Sequence, residues 1–168
     1  MTEHKKLYAA YGSNLNLEQM KRRCPTATVV GAAVLEHYEL LFRGSSASAV
    51  ATVEPREDAS VPILLWDIQS MDEKALDRYE GYPRFYGKET VALRLGDQQA
   101  EAMVYVMTPG HEPGLPSEHY YDVIARGYQS AGFDLSVLEA GVKRSAELMA
   151  APMDEVFGGS GPRMGWLE

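Results

Sequence analysis

Two stretches of this chain hold residue types that can do chemistry. The first is Tyr8-Ala9-Ala10-Tyr11-Gly12-Ser13-Asn14-Leu15. Residues 6–11 are apolar and aromatic enough for a first strand, and Gly12-Ser13-Asn14 breaks it with three turn formers in a row. Residues 15–23 then read as a short helix with Leu15 and Gln19, or Met20, on one face, capped by Asn14 or Asn16. A strand, a glycine turn and a helix start gather unpaired backbone N–H groups at one point. The helix dipole adds partial positive charge there, so a small anion would be held. Gly12 also lets another group approach the backbone closely. The same spacing serves equally as a tight turn with no ligand.

The second stretch is Tyr79-Glu80-Gly81-Tyr82-Pro83, followed by Phe85 and Tyr86. Glu80 falls in the last turn of a helix expected to start at the capping box Ser70-Met71-Asp72-Glu73 and to stop at Gly81 and Pro83. A carboxylate at a helix C-terminus faces partial negative charge, and Tyr79, Tyr82, Phe85 and Tyr86 would strip it of water. Both effects raise its pKa towards neutrality, where a carboxylate is a useful proton acceptor. From the residues alone, an exposed helix-end glutamate fits as well. Asp67, Asp77 and Glu89 read as solvated or paired carboxylates, and no second acid is positioned for a paired-carboxylate mechanism.

The elements that must position these residues follow in order. Residues 28–35 and 37–43 are two apolar stretches joined near Glu36, the second placing Tyr38, Leu40 and Phe42 on one face. Residues 44–48 are a loop, 49–53 a short strand, 56–60 an exposed charged turn, and 61–68 an apolar strand with Pro62 tolerated near its start. Residues 88–95 and 99–107 form a hairpin about Gly96-Asp97. Ser117 caps a helix to about Ala131, and Asp134 caps another to about Ala150. Residues 1–150 make one domain; residues 151–168, rich in glycine and proline, read as an irregular tail. Strands come mostly first and helices after, which indicates α+β.

Composition narrows the function classes. A net charge of −8 argues against a nucleic-acid partner. The basic cluster Lys21-Arg22-Arg23 reads as cations complementing a helix C-terminus. No run approaches the roughly 20 apolar residues of a membrane span, and the polar start lacks the apolar centre of a signal peptide. A single cysteine, Cys24, forms no internal disulfide, suits a reducing cytoplasm and reads as a structural or surface thiol. The four histidines show no metal-ligand spacing, so no metal is expected.

Tyr-x-Ala-Tyr-Gly-Ser-Asn-Leu near the N-terminus, Tyr79-Glu80-Gly81-Tyr82-Pro83 with Tyr86, and Pro116-Ser117-x-x-Tyr120 occur in the order of the γ-glutamylcyclotransferase-like, or AIG2-like, family, which this chain resembles over roughly residues 6–133. The resemblance implies a small mixed β-barrel flanked by helices. It implies a cofactor-free enzyme that cyclises a γ-glutamyl group to 5-oxoproline and releases the attached amine or amino acid. Glu80 matches the family's proton-transfer residue. Tyr8, Ala9, Ala10, Tyr11, Gly12, Ser13, Asn14, Tyr86 and Tyr120 would then bind substrate, with the Gly12-Ser13-Asn14 amides on its α-carboxylate. The partner is a small γ-glutamyl molecule. The alternative is a binding or regulatory module on the same fold, which would capture a small carboxylate without needing a base.

Overall fold

A computed structural model describes residues 6–151. The expectation for the tail therefore lies, apart from Ala151, outside the described residues. Strand β1 (Lys6–Ala10) leads through a single 3-10 turn (Ser13–Leu15) into helix α1 (Leu17–Arg23). Strands β2 (Thr28–Arg43) and β3 (Val50–Ile68) follow, then helix α2 (Ser70–Glu80), strands β4 (Tyr86–Leu95) and β5 (Gln98–Met107), and helices α3 (Glu118–Ala131) and α4 (Leu135–Met149). The strands close into a barrel in the order β1-β3-β2-β4-β5. β1 lies antiparallel to β3, with Ala10 opposite Leu64, and parallel to β5, with Tyr8 opposite Met103.

In the ladder between hairpins β2–β3 and β4–β5, Val34 pairs with Arg94. Beyond that point α4 lies along β2. The Phe42 N–H donates to Ser145 Oγ (2.9 Å), so the helix supplies an acceptor that a neighbouring strand would otherwise give. Phe42, Leu35, Ile63, Leu65 and Tyr105 are among the fully buried side chains of the barrel core. Leu15 and Met20 bury the α1 region, and Leu15 packs so closely on α3 that a Cβ at Gly127 would stand 2.6 Å from the Leu15 Cβ. Only glycine fits there.

Several local readings are corrected. The 15–23 helix is two pieces: the 3-10 turn, and α1 capped by Asn16, whose Oδ1 accepts from Gln19 N (3.1 Å). Residues 28–43 form one strand that bulges at His37, whose φ is 70°. Residues 50–68 likewise do not break. The ladder steps from Glu36 opposite Ser60 to Tyr38 opposite Pro55, so residues 56–59 swell outward opposite His37. The Nδ1 of His37 reaches the Glu57 carbonyl at 2.8 Å. The turn chemistry of 56–60 thus produces a bulge within a continuous strand. The capping box is displaced by one residue. Gln69 is the N-cap, and Asp72, buried and hydrogen-bonded by Thr26 Oγ1 (2.6 Å), accepts from Gln69 N (2.9 Å).

Candidate active site

Helix α2 stops because Gly81 takes a left-handed conformation (φ 67°). Its N–H and that of Tyr82 fold back on Arg78 and Asp77 carbonyls (3.3 and 2.9 Å), and Phe85 N bonds Gly81 O (2.8 Å). This stop leaves Glu80 as the last helical residue and sends Phe85 and Tyr86 back to the barrel. At the other contributing end, the 3-10 turn closes with Leu15 N on Gly12 O (3.0 Å) and Asn16 N on Ser13 O (3.0 Å). The Ser13 and Asn14 amides, ahead of the first closed turn, have no acceptor among the described residues.

The two ends share a cavity of about 190 Å³. Tyr11, Gly12, Ser13 and Asn14 form one side, Tyr79 and Glu80 another, and Val50, Ala51, Phe85, Tyr86 and Tyr120 the rest. Three tyrosines are fixed by the backbone. Tyr11 donates to the Tyr105 carbonyl (2.6 Å), Tyr86 donates to the Ala51 carbonyl, and the Tyr120 oxygen accepts from Ala51 N (3.0 Å). Burial, ahead of nearby Glu80 and neighbouring tyrosines, pushes all three phenols above their ordinary pKa, so they stay protonated. Tyr120 therefore keeps an O–H with no acceptor among the described residues.

Glu80 has no hydrogen-bond or ion-pair partner among the described residues. Burial pushes its carboxyl up to about 7, against the opposing pull of the Arg23 guanidinium. Loss of water is the largest cause of this rise. The arrangement can hold an anion at unpaired amides and move a proton at a neutral-range carboxylate.

The other sequence-predicted residues are placed differently. Tyr8, Ala9 and Ala10 do not line the cavity: they are buried core residues of β1, and the Tyr8 hydroxyl accepts from Asn14 Nδ2 (2.9 Å). The Asn14 side chain is occupied at both ends, since its Oδ1 accepts from Arg23. Tyr82, expected to desolvate Glu80, is 40% exposed and turns instead to Lys88 and Tyr105. Cys24 is buried outside the cavity. Its thiol bonds the Asp72 carbonyl (3.6 Å), and burial, aided by Asp72, pushes it up to about 12. Sequence reasoning missed Val50 and Ala51, whose place depends on β3 register, and Arg23, which it read only as a dipole complement. The spacing of Arg23 from Gln19, one helical turn, was the available signal.

A second, larger cavity of about 390 Å³ lies on the far side of the Phe85–His111 ring contact. Its Arg43 is paired with Glu54 (2.6 Å), and it contains neither Glu80 nor the turn. The smaller cavity is where the unpartnered groups converge. Among the described residues, no group of three or more His, Cys, Asp or Glu could hold a metal ion, and no helix is long and apolar enough to cross a membrane.

Barrel, helix ends and cavity define a recognisable class. The chain belongs to the family described as gamma-glutamyl cyclotransferase, AIG2-like, whose model matches residues 8–123, and it is an enzyme of this class. Human gamma-glutamylcyclotransferase is 27% identical over 144 residues, covering 79% of this chain and 75% of its own. The bovine protein of that name is 28% identical over 138 residues, covering 77% and 73%. A solved structure named gamma-glutamyl cyclotransferase shares the fold, with a TM-score of 0.73, 24% identity, and 98% and 96% of the two chains covered.

Proposed function

We propose that the enzyme cyclises a γ-glutamyl group to 5-oxoproline and releases the attached amine or amino acid, without a cofactor. The α-amine attacks its own γ-carbonyl, a C–N bond forms within the ring, and the C–N bond to the leaving group breaks. The substrate ammonium, whose pKa is around 8 in an α-amino model, gives up two protons in all. The leaving nitrogen gains two and departs as an ammonium. Glu80 carries them one at a time, taking each from the attacking nitrogen and passing it to the leaving one, and ends ionised as it began. Folding the flexible glutamyl chain into the small cavity removes much of the entropy cost of ring closure beforehand. The unpaired Ser13 and Asn14 amides suit the α-carboxylate. The free O–H of Tyr120 suits a substrate oxygen.

The observation that carries this reading is the unpartnered Glu80 carboxyl, held near neutrality in the same cavity as the turn. A module that only captures a carboxylate has no need of it. The test is incubation of the parent and Glu80→Gln proteins with a panel of γ-glutamyl amines and γ-glutamyl amino acids, with detection of 5-oxoproline. The reading expects release from at least one compound by the parent and almost none by the variant. Equal release by both proteins removes Glu80 as the base. Binding of a panel member without release points to the capture module.

A further inference from the structure

Arg23 ends α1 beside the site, outside the cavity lining. One guanidinium nitrogen donates to Asn14 Oδ1 and another to Gln19 Oε1 (2.6 Å), and the guanidinium carbon lies 3.5 Å from the Tyr79 ring centroid. Both hydrogen-bond acceptors are neutral amides, and no carboxylate among the described residues forms an ion pair with it. Tyr79 passes the contact on, its hydroxyl lying 3.0 Å from Ser13 Oγ. Asn14 passes it inward to the Tyr8 hydroxyl. A surface cation serving only a helix dipole would need none of these contacts.

We infer that Arg23 is a positioning residue of the site: its fork clamps the Asn14 amide while its face holds the Tyr79 ring, tying the anion-binding turn to the end of the Glu80 helix. The inference deepens the proposed function and rests on it where turnover is concerned. The shape requirement is specific. A planar guanidinium can donate in two directions and stack at once, whereas an ammonium keeps the charge but neither the fork nor the stack.

The same residue sets the electrostatics of Glu80. The groups around that carboxyl are Arg23 from α1, Tyr79 from α2, Tyr11 past the end of β1, Tyr86 from β4 and Tyr120 from α3, with Tyr8 of the β1 core coupled to it from outside the cavity. The charged member of this ring is Arg23, and it favours the ionised carboxylate, opposing burial. Its removal must therefore move the Glu80 titration to higher pH.

Two variants separate charge from shape. Glu80 is titrated by carbon NMR in full-length protein labelled at glutamate carboxyls, with its signal assigned by its loss in Glu80→Gln. Turnover is followed as 5-oxoproline release from the γ-glutamyl compound that the parent converts fastest. Arg23→Gln is expected to raise the Glu80 midpoint by about half a pH unit or more and to lower kcat/KM. Arg23→Lys is expected to leave the midpoint near the parent's yet still lower kcat/KM about tenfold, because the turn loses its clamp. A midpoint that stays put in Arg23→Gln, with parental turnover in both variants, overturns the inference. If Arg23→Gln does not fold, parental turnover by Arg23→Lys overturns the clamp. The two readings fail separately. Persistent turnover in Glu80→Gln sinks the base, while a tenfold loss of turnover in Arg23→Lys still supports the clamp. An inactive Glu80→Gln beside a silent pair of Arg23 variants sinks Arg23 alone.

Discussion

Along helix α2, Glu73 and Asp77 face lysines, whereas Glu80 faces tyrosines. Glu73 accepts from Lys88 (2.6 Å) and Lys6 (3.1 Å), and Asp77 accepts from Lys88 (3.2 Å) and the Tyr105 hydroxyl (2.6 Å). Burial works to raise the Glu73 pKa, but the lysine hydrogen bonds outweigh it and hold the carboxyl below its ordinary value. One helical turn past Asp77 the lysines are gone. Glu80 has burial without a partner, and its carboxyl rises to about 7. The same kind of side chain on the same helix is held in an ion pair or left as an unpartnered carboxyl near neutrality according to what stands opposite.

Breaking the contrast at its reactive end has the largest expected effect. Glu80→Gln keeps size and a hydrogen-bond acceptor but cannot take a proton. We expect kcat to fall by at least about 100-fold, with a smaller change in binding because the turn amides are untouched. Parent-like 5-oxoproline release would erase the distinction between Glu80 and Asp77. Gly12→Val is next. A Cβ at Gly12 already stands 3.3 Å from the Ala51 Cβ and 3.7 Å from the Tyr120 hydroxyl oxygen, so two further methyls must enter the cavity. We expect kcat/KM to drop on the order of 100-fold while the far-ultraviolet circular dichroism stays that of the parent; undiminished turnover would place substrate elsewhere.

Stability sharpens the comparison with opposite signs. A folded-state Glu80 pKa raised above the unfolded value favours the protonated fold. Its stabilising contribution is full below the unfolded pKa and is lost as pH rises through about 7. Glu80→Gln should therefore be more stable than the parent at pH 8, by up to about 3 kcal/mol, with the gain vanishing near pH 4 in thermal unfolding. A variant less stable than the parent at pH 8 would contradict the unpaired carboxylate. Asp77→Asn should lose stability instead, about 1 kcal/mol because the Lys88 pair is partly exposed, with turnover within about twofold of the parent. A large loss of turnover there would mean the paired carboxylates also take part.

The contrast was only half legible in the sequence. Helix ends were readable, because Gly81, Ser117, Gly132 and Asp134 act locally. The strand-to-helix turn and the Glu80 helix end were readable for the same reason, and the motif order indicated the barrel. Long-range register was not. Nothing local in Ala51 announces that its N–H and C=O bind Tyr120 and Tyr86 across the cavity. Residues 56–59 carry turn chemistry that the ladder on either side absorbs as a bulge. Tyr8, Ala9 and Ala10 have the motif's spelling, but β1 lies between β3 and β5 in the closed barrel and all three residues are buried in the core. Arg23 looked like one of three equivalent cations, and only the fold shows that it alone reaches Asn14 and Tyr79.

The most direct measurement of the account is the pH dependence of kcat/KM for 5-oxoproline release, in the parent and in Asp77→Asn. It reports the ionisation of the free enzyme's essential groups. The account predicts that activity rises through an acid limb centred near pH 7 in both proteins, set by Glu80. An acid limb centred at about 4 to 5, the range of an ordinary carboxylate, or a limb that moves with Asp77, would contradict it.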